Sequence, residues 1–362
     1  MMTNASCLRK LRLFVLNGAL TLLLTLGAAS ESHSSDTKLM KITIWKPGLG
    51  SMAMNLNHFT VQLDGPLDEN AASRLRSRLQ AIKASPINFY LNSPGGVMSV
   101  GMEIGRIIRQ TGMATNIGIY AGEEIQSKPG GCYSSCALAF LGGPYRYISK
   151  GSEFGVHRFS SGVASANDLD VAQVASARIN TYIREMDVDP SLFELMARTG
   201  KDQIYILSTQ QLHDLNVTNN GRKRPSWTIE AVDGGMYLRG QQETVWGEGK
   251  AIFICGKGVV FNSFAPVSED QSRSMIRGEW FHSLLVDAEN FPIEPGGKGR
   301  YDGYFLNTQF LLTSEQVQKV LKAKKVGHAI QVTREAPSFV GYTIEIPEAQ
   351  RPKINAFLRT CP

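Results

Sequence analysis

Hydrophobic and polar positions follow two alternating periods along residues 41–217. Extended apolar or alternating runs predict strands at Lys41–Trp45, His58–Leu63, Ile87–Leu91 and Asn116–Tyr120, with further strand-like runs at Tyr147–Ser149 and Phe154–Phe159. Apolar positions three and four apart predict helices between them. Ala72, Leu75, Leu79 and Ile82 mark one over Glu69–Ile82, and others cover about Met98–Gln110 and Pro190–Arg198. A long helix over Asp168–Met186 carries Val171, Val174, Ala175, Ile179, Tyr182 and Ile183 on one face. Ser134–Leu141 reads as a helix of small residues, and Ser208 can cap a last one at Thr209–Leu215. Strands alternating with helices in this way imply an α/β domain with mostly parallel pairing.

The polar stretch from Thr218 to Pro225, rich in breakers, ends that pattern. Beyond it come short strand candidates at Trp227–Val232, Met236–Leu238, Ala251–Cys255, Val259–Phe261, Phe305–Leu312, His328–Thr333 and Tyr342–Ile346. A helix at Ser314–Ala323, capped by Ser314, interrupts them, and another lies near Pro352–Arg359. The expected organisation is an extension at 31–57, an α/β domain at 58–218, a linker at 219–226 and a smaller β-rich, α+β domain at 227–362. That second domain shows no catalytic motif, and Trp246 and Trp280 are expected in its core.

Residues 1–30 stand apart. Arg9, Lys10 and Arg12 precede an apolar run from Leu13 to about Ala29 that ends in small residues, the pattern of a secretory signal peptide. The run is shorter than the roughly 20 apolar residues a spanning helix needs, and no later segment is long and apolar enough to span a bilayer. Its removal takes away those three cations and no acidic residue, so the formal charge falls from +6 to +3. Such a balance argues against a nucleic-acid partner. Cys7 leaves with the leader. Cys132, Cys136, Cys255 and Cys361 remain, an even count that suggests disulfides in an exported, periplasmic or secreted, protein. Of the three possible pairings, local spacing favours Cys132–Cys136, which leaves Cys255–Cys361. No metal-binding spacing is present, and no metal or cofactor is expected.

Three motifs follow one another in the first domain. Asn92-Ser93-Pro94-Gly95-Gly96 lies between a strand and a helix, Gly130-Gly131-Cys132-Tyr133-Ser134-Ser135-Cys136-Ala137 opens another helix, and Phe154-Gly155-Val156-His157 lies in a strand. Their order and surroundings resemble the peptidase subunit of the Clp protease, within the Clp/crotonase superfamily, from about Phe59 to Val217. The resemblance implies a fold of ββα units and an oligomer of trimers or larger rings. It also implies Ser134 as nucleophile and His157 as general base, with Ser135 as the alternative nucleophile. Physical chemistry gives the same roles. Glycines at 95 and 96 allow a tight turn that leaves the Gly96 N–H free, and the helix opening at Ser134 offers the Ser135 N–H. Two such donors make an oxyanion hole.

Two features depart from that family. Where the family carries an aspartate that orients the histidine, this chain has Ile204, and Asp202 is the nearest substitute. Residues 121–130 are an insertion beside the expected site, either a lid or a surface loop. The reading is an exported, peptidase-like serine hydrolase acting on peptides or unfolded protein. Its rival is a binding or scaffold protein that keeps the fold without the chemistry. Crotonase-type thioester chemistry and a serine-lysine dyad through Lys150 have less in their favour.

Overall fold

The computed structural model describes residues 39–361, apart from 49–57, 83–86, 112–113, 123–126, 160–167, 233 and 337. The expected signal peptide, most of the extension and the middle of the 121–130 insertion lie outside the described residues.

The first region runs β1 (Lys41–Trp45), β2 (Phe59–Asp64), α1 (Ala71–Gln80), β3 (Ile87–Asn92), α2 (Met98–Thr111), β4 (Ala114–Ile117), β5 (Gly131–Tyr133), α3 (Ser135–Leu141), β6 (Tyr145–Ile148), β7 (Glu153–Val156), α4 (Asp168–Glu185), α5 (Ser191–Arg198), β8 (Tyr205–Ile206) and α6 (Thr209–Asp214). A five-stranded sheet has the order β1-β2-β3-β4-β6 and is parallel except at β1. A second, small sheet has the order β5-β7-β8. It is joined to the first where Ser93, just past β3, pairs with Cys132. The expected α/β class and the order of elements hold. The strand expected at Asn116–Tyr120 sits two residues earlier, and the one expected at Phe154–Phe159 ends at Val156, so His157 follows the strand.

Helix α3 is buried along its whole length. That explains its small residues: Gly101 on α2 lies so close to the Ser135 carbonyl that a Cβ there would collide with it. Helix α4 buries Ile179, Tyr182 and Ile183 as expected. Val171 and Val174, however, are more than half exposed (54% and 52%), so the first half of its apolar face is uncovered.

The elements converge on one buried cation. Arg146, on β6, is 1% exposed. Its Nε donates to Val217 O (2.9 Å), Nη2 to Asn216 O (2.7 Å), and Nη1 to Gly143 O (2.7 Å), Met186 O (3.3 Å) and Leu141 O (3.4 Å). Burial lowers its pKa to about 9.

The second region runs β9 (Ser226–Val232), β10 (Gly235–Thr244), β11 (Gly247–Cys255), β12 (Val259–Pro266), α7 (Glu269–Arg277), β13 (Phe281–Val286), β14 (Glu289–Ile293), β15 (Arg300–Tyr301), β16 (Phe305–Leu312), α8 (Ser314–Lys322), β17 (Lys325–Gln331), β18 (Val340–Glu345) and α9 (Arg351–Arg359). An antiparallel sheet ordered β15-β16-β12-β11-β10-β9 faces another ordered β14-β13-β17-β18. Strict in–out alternation along β12 marks one face as core. There Phe253, Phe261 and Phe310 stack across three strands, with centroids 5.2 and 5.9 Å apart. The region is β-rich, as expected. Two details differ from expectation, the place of Trp246 and the cap of α8. Trp246 is 77% exposed at a hairpin turn, whereas Trp280 is only partly exposed. The cap of α8 is Thr313, which exchanges hydrogen bonds with Gln316 in a capping box, so Ser314 is the first helical residue. The expected Cys255–Cys361 bridge is present, with Cα atoms 4.8 Å apart.

Two stability measurements follow. Replacing Arg146 by Met removes the donors of several buried carbonyls and should cost about 3–5 kcal/mol in denaturant unfolding. The second concerns His282 and His328, whose rings share a 3.0 Å nitrogen–nitrogen contact. Burial depresses both pKa values. The unfolded chain therefore binds more protons than the folded one once pH falls below about 6.5. Stability should be full above that pH and fall as pH drops from there toward 5, and His328→Gln should flatten the slope.

Candidate active site

The three motifs meet. Ser93 N donates to Gly131 O (2.7 Å), and Tyr133 N donates to Ser93 O (3.1 Å), which ties the first motif to the second. Ser134 N donates to Gly155 O (3.0 Å), two residues before His157, which ties the second to the third. The turn at Gly95 runs directly past Ser134. A Cβ on Gly95 would lie 2.7 Å from Ser134 Cβ and 3.3 Å from its Oγ, and Gly95 has φ +101°, so glycine is required there on both counts.

Ser134 itself has φ 58° and ψ −123°, a conformation that L residues avoid. It forms the corner between β5 and α3. The corner is held from both sides, since Cys132 and Cys136 are bridged across it with Cα atoms 5.2 Å apart. The far end of α3 is held as well. Tyr182 Oη donates to Leu138 O (2.7 Å), Thr115 Oγ1 to Phe140 O (2.9 Å) and Arg109 Nη2 to Leu141 O (3.2 Å).

Ser134 is partly exposed, whereas the neighbouring Ser135 is completely buried, and its Oγ has no hydrogen-bond partner. That placement separates the two serines, which spacing alone left open. Cys136 is buried and bridged, so no free thiol stands at the site. Leu67 N donates to Gly95 O (2.8 Å) and Val97 N to Leu67 O (2.9 Å), which turns the Gly96 N–H to the side away from Leu67. Gly95 N is occupied by Ser93 Oγ (3.1 Å). Ser135 opens α3, so its N–H has no acceptor within the helix.

His157 is partly exposed, and its Nδ1 is buried without a partner. Among the described residues, no hydrogen bond joins it to Ser134. Asp202 does not serve as its orienting acid. The Asp202 side chain is 81% exposed and pairs with Lys201 at 3.1 Å. The histidine segment is positioned through its backbone: Arg158 N donates to Thr199 O (3.1 Å), and β8 pairs with β7 beside it. Tyr133, next to Ser134, donates to Glu153 Oε2 (2.6 Å), and this bond raises its pKa to about 12.

Sequence reading missed β8 and a cavity lined in part by Arg158 and Phe159, the two residues after His157. The cavity is about 390 Å³ and is lined by Met98, Phe159, Val171, Ile179, Phe193 and Met196. The uncovered half of α4 forms one wall, and the alternation of apolar residues on that helix was its only trace in the sequence.

A family model described as Clp protease matches residues 49–186. The chain carries a Clp protease-like domain. No curated protein matches the sequence. Among solved structures, ClpP1 from Listeria monocytogenes is similar at 20% identity, with a TM-score of 0.35, covering 44% of this chain and 88% of its own. The 1510-N membrane-bound stomatin-specific protease is similar at 18% identity, with a TM-score of 0.34, covering 44% of this chain and 75% of its own.

The backbone at Ser134 makes a checkable statement. Glycine adopts that conformation freely, so Ser134→Gly should leave stability unchanged or raise it by roughly 1 kcal/mol in denaturant unfolding. A loss of several kcal/mol would mean that the corner is not strained.

Proposed function

We propose that the Clp protease-like domain is an exported serine hydrolase of the peptidase type. Ser134 attacks the substrate carbonyl, His157 takes its proton, and the N–H groups of Gly96 and Ser135 stabilise the oxyanion. The observation that carries this reading is the strained corner at Ser134. A serine stands where glycine would be relaxed, with its side chain against the Gly95 turn and its N–H on Gly155, two residues before His157. Each oxyanion donor is worth about 3–4 kcal/mol in acyl transfer. Hydrogen bonds between nucleophile and base are often long in unliganded sites and tighten on binding.

The apolar cavity that Phe159, two residues after His157, helps to line supports a substrate with an apolar side chain. The exposed row of Ile204 and the two residues of edge strand β8, Tyr205 and Ile206, supports assembly with further copies of the chain. Export is supported by the two disulfides and by the leader-like pattern of residues 1–30.

One observation favours a second reading, a binding protein without chemistry: among the described residues, no acid hydrogen-bonds Nδ1 of His157. Fluorophosphonate labelling of the purified protein decides between the two. Under the first reading the wild type labels, Ser134→Ala does not label at all, and His157→Ala labels at least about 100-fold more slowly. Absence of labelling in a folded wild type would sink the hydrolase and leave the binding protein.

A further inference from the structure

The second region buries a polar chain that nothing in the Clp-like site uses. Ser263 Oγ lies 2.7 Å from His328 Nδ1, and His328 Nε2 lies 3.0 Å from His282 Nδ1. The two rings are within 8° of parallel, with centroids 5.1 Å apart, so they meet edge to edge. Ser263 belongs to β12 in one sheet, and His328 and His282 to β17 and β13 in the other. The chain therefore crosses the sandwich, with His328 edge-on to the aromatic rings of Phe261 and Phe310. Ser263 and His328 are fully buried. A polar chain in an aromatic core is costly unless every member is paired.

This chain is paired everywhere except at its outer end. His282 spends Nδ1 on His328, which leaves Nε2 for the cavity that His282 lines, about 540 Å³ in volume and within the range of small-molecule sites. Thr308 lines the same cavity. It stands opposite Ser263 in the β12–β16 register, is 3% exposed, and its hydroxyl has no partner. A buried hydroxyl without a partner is costly to the fold. Gly299 keeps the space beside it open, since a Cβ there would stand 3.3 Å from Thr308 Oγ1 and 2.8 Å from Leu306 Cδ1. Around the mouth are Arg277, Lys298 and Arg334, against Glu279 and Glu294.

We propose that this cavity is a binding site for a carboxylate, either a small organic acid or the C-terminus of a peptide, held by His282 Nε2–H and the Thr308 hydroxyl. The relay can supply the first donor while both histidines stay neutral. Ser263 O–H donates to His328 Nδ1, His328 Nε2–H donates to His282 Nδ1, and the remaining proton of the pair sits on His282 Nε2, facing the ligand. Thr308 O–H gives the second donor, and the excess of cations at the mouth favours an anion. This inference is independent of any role for Ser134.

The test is a titration of the full chain carrying Ser134→Ala, so that no peptide is cut, read by the NMR signals of the His282 ring and the Trp280 indole. The probes are an N-acetylated tetrapeptide acid, its C-terminal amide and benzoate. The tetrapeptide acid or benzoate should shift both signals, with the His282 proton fixed on Nε2. The amide should bind at least about tenfold more weakly than the acid, and Thr308→Val should lose at least about tenfold in affinity while its melting temperature holds or rises. Shifts with benzoate would identify a site for free acids, and shifts with the tetrapeptide acid alone a site for chain ends. The proposal is overturned if neither carboxylate shifts these signals at millimolar concentration, if amide and acid act alike, or if Thr308→Val binds as before.

Discussion

The first region is organised around one guanidinium. Among the described residues, Arg146 hydrogen-bonds no carboxylate, and its guanidinium is met by backbone carbonyls. Two of these, from Leu141 and Met186, stand at the C-terminal ends of α3 and α4, where helix dipoles concentrate negative charge. The others come from the turn after α3 and from residues 216–217, which close the domain. A buried charge that finds its partners in five separate carbonyls can exist only when all of those segments are in place. Arg146 thereby couples the serine-bearing helix to the helix that walls the apolar cavity and to the end of the α/β chain. Its own carbonyl accepts from Asn219 and Asn220, so the same residue also sets where the second region departs.

That anchoring gives a physical reason why a strained serine can persist. A conformation costing of order 1–3 kcal/mol survives only if its surroundings over-determine it. At Ser134 the surroundings are a disulfide across the corner, the bond from its own N–H to Gly155, the Gly95 backbone against its side chain, and a helix fixed at its far end by Tyr182, Thr115 and Arg109. The chain holds the serine from the far end of α3 as firmly as from the near one.

Much of this was legible in the sequence because it rests on local chemistry. Gly95-Gly96 announced a turn, the run Ser134–Leu141 announced a helix of small residues, and Cys-x3-Cys announced a bridge over the serine. What was not legible depends on long-range pairing. β8 has two residues, both exposed, and exists only because β7 offers it an edge. β14 contains Pro292, which reads as a strand breaker and is tolerated because β14 is the last strand of its sheet. α7 is too polar for its periodicity to show, although the capping box of Ser268 and Gln271 stood in the sequence as its signal. Asp202 was singled out because it lies two residues before Ile204, the position where the family carries its aspartate. Turn geometry instead carries it into solvent, and no sequence pattern reports that.

Buried polar groups separate scaffold from site in both regions. Where a buried group is fully paired, as Arg146 is, its role is complete within the fold. Where it is not, the fold carries an unpaid cost that folding alone does not explain. Of seven such atoms among the described residues, three fall where chemistry is expected: Ser135 Oγ next to Ser134, His157 Nδ1 in the histidine segment, and the Oγ1 of Thr308, which lines the cavity at the end of the histidine relay. The contrast within the second region is the sharper one. Ser263, His328 and His282 satisfy one another in sequence across the sandwich, and the series stops at a nitrogen and a hydroxyl that share an open volume. A relay kept for stability alone would be expected to end on a protein acceptor. This one ends where a ligand atom would complete it.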